Sequence, residues 1–276
     1  MDAVVHTTLE SFDAATHDRL AADPVRNTIA LTSLDRVRRL PDPERPPTLI
    51  TFHDRGQVIG CLIRTPPWPF QAADLPLEAV DLAVRTAREI DPGAPGVTGP
   101  KDRSVAFATA WGEPFRETLA TRQYFLGTLV PPDVAGSGRM ATEDDVPVLG
   151  LWLKAFTEEA VPHAPRGLSA EETVSTSLGL GNGLAVWEMD GTLVAWASAS
   201  LPQAGMSRIG PVYTPPEHRK HGYGAAVTAV ASRWALGQGA EHVLLFADLT
   251  NPISNSIYQR IGYRPLTDCA EYVWKR

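Results

Sequence analysis

The chain is an α/β (α+β) protein in two halves, on three observations. Its 276 residues suffice for two ordinary domains. The first half runs hairpin, helix, short strand, helix, strand, and the second repeats that order. Only the second half carries a glycine-rich turn, Arg219-x-x-Gly222-x-Gly224, between a strand pattern and a helix pattern.

In the first half, residues 13–40 read as two helical pieces broken around Asp23-Pro24, followed by a proline-rich turn from Pro41 to Pro47. Thr48 to His53 and Gln57 to Arg64 form a hairpin about Asp54-Arg55-Gly56. Pro66 to Pro76 reads as irregular, with Trp68 and Phe70 expected to pin it to the core. Leu77 to Ile90 is an amphipathic helix, because Leu77, Val80, Ala83, Val84, Ala87 and Ile90 share one stripe. A short strand, a helix over Asp102 to Gly112 and a strand over Gln123 to Val130 follow, and Pro131 to Gly138 reads as a linker. The expected domains are therefore residues 1–130 and 139–276, joined by residues 131–138.

In the second half, Arg139 to Ala141 is a short strand and Thr142 caps a helix with Glu143, Asp144 and Asp145 in its first turn. Pro162 to Gly167 reads as a loop, and Ser169 caps the next helix. The run Gly179 to Gly183 precedes a strand and not a helix, so it is a plain turn. Leu184 to Met189 and Thr192 to Ser200 form a second hairpin about Asp190-Gly191. Met206 to Tyr213 is the strand that feeds the glycine turn. Tyr223, Val227, Val230, Ala231 and Trp234 then recur at helical spacing as far as Gly237. His242 to Ala247 is a strand. The last helix has Asn251 as cap, Pro252 at its first position and Gly262 just past its end, and Glu271 to Lys275 closes the chain as a strand.

Composition removes several function classes. The net charge of −7 is spread over both halves with no basic stripe, so nucleic acid and anionic membrane are poor partners. No run approaches the about 18 apolar residues of a membrane span, and the acidic, polar N-terminus does not read as a signal peptide. Cys61 and Cys269 match no metal or redox pattern, which leads us to expect no metal and a reducing cytoplasm.

The glycine turn has a definite chemistry. Glycines ahead of a helix let the backbone approach a ligand closely. The helix start adds free N–H groups and the positive end of the dipole, so a phosphate is the natural guest. Arg219, Lys220 and His221 place charge or donors beside it. No Gly-Lys-Ser/Thr follows and the G-x-G-x-x-G spacing is absent, so this is neither a P-loop nor a dinucleotide fingerprint.

These residues, with Asn251 and Tyr258 beyond them, resemble the cofactor-binding core of the GNAT superfamily of N-acetyltransferases, over roughly residues 139–276. That family carries Arg/Gln-x-x-Gly-x-Gly/Ala at the start of its central helix and an Asn and a Tyr on the next one. The resemblance implies two GNAT-like domains in tandem, each a mixed, mostly antiparallel sheet flanked by helices. The first is expected to be degenerate, since Ala73, Asp74, Leu75 and Pro76 stand where its turn would be and Asp74 and Glu78 would repel a pyrophosphate. It further implies acetyl transfer from acetyl-CoA to an amine of a small-molecule or peptide acceptor, by a monomer or homodimer.

By the same resemblance the pyrophosphate sits on the amides from Lys220 to Ala225, so Lys220, His221, Gly222, Tyr223, Gly224 and Ala225 bind cofactor together with Arg219. The pantetheine arm lies along Pro211, Val212 and Tyr213. The amide of Val212 or Tyr213 polarises the thioester carbonyl, because Pro211 has no N–H. Asn251 and Ser254 contact the arm, and Tyr258 protonates the departing thiolate. Ser254 and Tyr258, four apart, share one helix face. Some members place a Glu general base on the strand before the turn; Arg208 stands there, and a guanidinium takes no proton at working pH. Glu217, His163 and Glu188 are the remaining candidate bases, and Trp196 is a candidate for the acceptor wall or the core. The other reading is a non-catalytic acyl-CoA-binding or interaction module; Tyr258 favours the enzyme and Arg208 favours the module.

Overall fold

The computed structural model describes residues 1–161 and 168–275. The expected loop at Pro162 to Gly167, with His163, lies outside them. Two compact units emerge: residues 1–121 with 267–276, and residues 122–266. They do not follow the boundaries expected from chain order, since the end of the last strand, from Thr267 on, groups with the first unit.

The first unit is built from β1 (Asp2–His6), α1 (Leu9–Ala22), α2 (Thr28–Arg39), β2 (Thr48–Asp54), β3 (Gln57–Arg64), β4 (Phe70–Gln71), α3 (Val80–Ile90), β5 (Gly96–Pro100), α4 (Lys101–Trp111) and the first part of β6 (Phe115–Leu126). The end of β12 (Tyr263–Trp274) completes it. Its strands lie in the order β1-β2-β3-β4-β5-β12. The expected hairpin is β2–β3, with Thr48 opposite Arg64. β1 was not legible in the sequence: five residues with no helical period become a strand only by pairing along β2, Asp2 opposite His53.

Two expectations in this unit are corrected. Phe70 is fully buried in the core, but the Trp68 side chain is 44% exposed and lies outside it. Asp74 is no free repelling charge, because Arg19 holds its carboxylate from two nitrogens at 2.6 and 3.1 Å. The end of β12 is held by its side chains as well as by its ladder to β5: Trp274 stacks on Trp111 with centroids 5.0 Å apart.

The second unit adds β7 (Ser137–Met140), α5 (Val146–Ala160), α6 (Ala170–Gly179), β8 (Gly183–Met189), β9 (Thr192–Ala199), β10 (Met206–Tyr213), α7 (Tyr223–Gly237), β11 (His242–Asp248) and α8 (Pro252–Arg260). Its strands lie in the order β6-β11-β10-β9-β8-β7. The pairs from β7 to β10 are antiparallel and β10–β11 is parallel. The mixed, mostly antiparallel sheet flanked by helices is thus the fold observed.

Alternation along β9 feeds two apolar layers. Ala195, Ala197 and Ala199 join Val227, Ala231 and Ala235 of α7. Trp196 turns the other way and joins Val146 and Leu149 of α5 and Val174 of α6. The buried face of α7 is alanine-rich, which lets the helix settle close to the sheet. Ser169 caps α6 as expected, its hydroxyl accepting from the Glu172 amide at 3.1 Å. None of the helices among the described residues is long and apolar enough to cross a membrane.

Candidate active site

The site is built where β10 leaves β11. The two strands pair from Met206–His242 to Ile209–Leu245 and no further, although β10 continues to Tyr213 and β11 to Asp248. β10 stays with β9, through a register shift between Ile209 and Val212 that contains the cis Gly210–Pro211 peptide. Gly210 has φ +141°, a value L side chains rarely adopt. Beyond Ile209 the two parallel strands no longer pair, and Pro211, Val212 and Tyr213 form the β10 side of the gap.

The chain then turns through Pro216–His218 into the glycine turn. Lys220 (φ +69°) and Gly222 (φ +85°) both take left-handed conformations, and Gly222 occupies the cap position of α7. Among the described residues no side chain caps this helix, and no acid lies in its first turn. The first helical bond runs from the Ala226 amide to the Gly222 carbonyl at 3.1 Å, so the amides of Tyr223, Gly224 and Ala225 stand ahead of it. His221 stacks on Tyr223, their rings 5.5 Å apart. This arrangement fits an anionic phosphate.

Arg219 behaves differently from its neighbours. Its Nε donates to the Thr214 carbonyl at 2.9 Å and its Nη2 to Glu159 Oε2 at 2.6 Å. Its guanidinium also lies over the Tyr213 ring, 5.7 Å from the centroid. Tyr213 donates its hydroxyl to the other oxygen of Glu159 at 3.0 Å. Burial, and then the Glu159 carboxylate, raise the Tyr213 pKa. Arg219 thus ties the turn to the end of β10 and to α5. Glu159 was missed in the sequence because it lies 60 residues from its partner and belongs to no motif.

On the opposite wall, Asn251 caps α8, its Oδ1 accepting from the Ser254 amide at 3.0 Å. Asn255, also missed, locks the helix in place. Its Nδ2 donates to the carbonyls of Asp248 and Asn251 at 2.8 and 2.7 Å, and its Oδ1 accepts from the Tyr124 hydroxyl at 2.6 Å. Tyr258 lies one turn on, 9% exposed, its ring 6.5 Å from that of Tyr124 and 6.2 Å from that of Tyr263. Among the described residues its hydroxyl has no hydrogen-bond partner. Burial pushes its pKa up to about 12, so it carries its proton at every ordinary working pH.

That shift predicts an alkaline instability. A phenol with a raised folded pKa adds stability that is complete below the unfolded value of about 10 and is lost as pH rises toward 12. Urea melts of wild type and Tyr258→Phe at pH 9 and pH 11 measure it. Wild type is expected to lose about 1.4 kcal/mol more than the variant between the two; equal losses would refute the shift.

The remaining candidates divide. Glu217 is exposed in the turn after β10. Glu188 is held by Arg139 at 2.8 Å on β8, two strands from β10. Trp196 is 2% exposed within the α5–α6 layer. Arg208 lies in β10, ahead of the point where the strands part.

A parallel strand pair that parts ahead of a glycine-led helix is the defining feature of this site. Residues 149–263 match the family model of the acetyltransferase (GNAT) family. No match was found among curated protein sequences. The structure is similar to a GCN5-related N-acetyltransferase from Kribbella flavida, with TM-score 0.63, 18% identity and coverage of 91% of this chain and 96% of that one. It is also similar to a GCN5-related N-acetyltransferase from Sphaerobacter thermophilus (TM-score 0.62, 15% identity, 98% and 94% covered). A third likeness is to a tandem GNAT protein from the clavulanic acid biosynthesis pathway (TM-score 0.53, 16% identity, 98% and 97% covered). At these identities the likenesses establish the fold, a GNAT fold in tandem arrangement.

Proposed function

We propose that the chain is an acetyl-CoA-dependent N-acetyltransferase acting on an amine of a small molecule or peptide. The observation that carries this reading is the parting of β10 from β11 directly ahead of the free amides at the start of α7. Residues 139–276 are read as the acetyl-CoA-binding domain and residues 1–130 as a degenerate copy, since no glycine turn precedes α3. Two free thiols, Cys61 and Cys269, fit a reducing cytoplasm; a monomer or homodimer is expected.

When bound, acetyl-CoA supplies an acetyl group on a thioester, whose transfer to an amine makes an amide and leaves a thiol. The turn from Lys220 to Ala225 holds phosphate with its amides. The amide N–H of Val212 or Tyr213 donates to the carbonyl oxygen as negative charge develops on it, and Asn251 and Ser254 orient the arm. Tyr258 gives its proton to the leaving sulfur, and the proton shed by the acceptor nitrogen goes to solvent. Arg219 acts through its hold on Thr214 and Glu159 more than as a phosphate ligand.

Calorimetry with coenzyme A is expected to give one site per chain, and a thiol-release assay with acetyl-CoA against a panel of amines is expected to give turnover. Two sites, or none, would overturn the assignment of the cofactor to the second domain. Binding without turnover on any amine would favour the second reading, a non-catalytic acyl-CoA-binding module, which Arg208 in the place of a base supports.

A further inference from the structure

β10 carries a cation that nothing among the described residues answers. Arg208 is half-buried, and its backbone is committed to Ser200, just past the end of β9: its amide donates to Ser200 Oγ at 2.9 Å and its carbonyl accepts from the Ser200 amide at 3.0 Å. Its guanidinium makes neither ion pair nor hydrogen bond among the described residues. Residues 162–167, outside them, contain no Asp or Glu. Burial alone pulls the Arg208 pKa down, to about 10, so the side chain remains a cation at pH 7.

Its position is informative. Ile209 and its partner Ala199 belong to the layer under α7. Alternation places Arg208 on the other face, the one that carries Trp196 and Ser198 and on which α5 and α6 pack. It stands just before β10 leaves β11, about 16 Å along the strand from Tyr213 and the turn that follows. The phosphate turn therefore has its own cations and amides, and Arg208 belongs to the other end of the strand. A desolvated, unpaired charge is costly to keep, and the cost is recovered when a ligand brings the counter-charge.

Building on the acetyltransferase reading, we propose that Arg208 recognises a carboxylate carried by the acceptor, so that the substrate class is amines that also bear a carboxylate. Arg208 is then a specificity residue where a general base would stand. A planar guanidinium binds a carboxylate through two parallel hydrogen bonds, which an amine without the anion does not offer.

The test compares matched pairs in the thiol-release assay: amino acids and dipeptides against their methyl esters, amides and decarboxylated amines. Wild type is expected to favour the carboxylate member by about tenfold to 100-fold in kcat/KM. Arg208→Gln is expected to bring that ratio near one, and Arg208→Lys to restore part of it. A ratio taken within each enzyme is insensitive to loss of folded protein. Calorimetry with an N-acetylated carboxylate product and its methyl ester reads the same preference without turnover. A wild type without preference, or a preference that survives Arg208→Gln, overturns the proposal. If no amine releases thiol, the transferase reading falls, and the calorimetric pair alone decides the role of Arg208.

Discussion

Gly222→Glu is expected to abolish coenzyme A binding. Gly222 sits at φ +85°, where a side chain costs about 1–3 kcal/mol of backbone strain. A Cβ there would also lie 2.9 Å from Cγ2 of Val134, which must shift. The added carboxylate stands at the start of a helix whose uncapped amides are the proposed phosphate ligands. Together these effects exceed about 2.7 kcal/mol, a loss of at least about 100-fold in affinity. Gly222→Ala isolates the strain and is expected to lose about tenfold. Calorimetry on both, with thermal melts to confirm folding, separates charge from geometry. A folded Gly222→Glu protein that binds as wild type would remove the turn from the site.

Tyr258→Phe is expected to keep cofactor affinity within about twofold while kcat falls about 100-fold, the low end for loss of a positioned acid. The ring still packs between Tyr124 and Tyr263, so the change removes a proton and little volume. Because burial raises the phenol to about 12, the wild-type rate should show no decline from its ionisation below pH 10. With Arg208 where a base would stand, kcat/KM should climb with pH up to the acceptor's own pKa. An added lower inflection that vanishes in Glu217→Gln would assign the base to Glu217. A Tyr258→Phe enzyme with full kcat, chemistry being rate-limiting, would remove the acid role.

The features legible in the sequence are those made within a few residues of one another. The turn at Arg219 to Gly224, the Asn251 cap with Pro252, the spacing from Ser254 to Tyr258 and the β2–β3 hairpin all follow from local backbone chemistry. The local backbone features of the candidate site were therefore readable in the sequence. Which side chains support it was not. Glu159 on α5 answers Arg219 across 60 residues, and Tyr124 on β6 meets Asn255 across 131. No local pattern says which of many acids or tyrosines will arrive. The tertiary structure alone decided that β1 is a strand and that the end of the chain groups with the first unit. It likewise decided that β10 parts from β11 at Ile209 and that the Arg208 side chain has no partner among the described residues. Strand pairing and burial depend on what lies opposite in space, whereas a cap or a turn depends only on its neighbours in the chain.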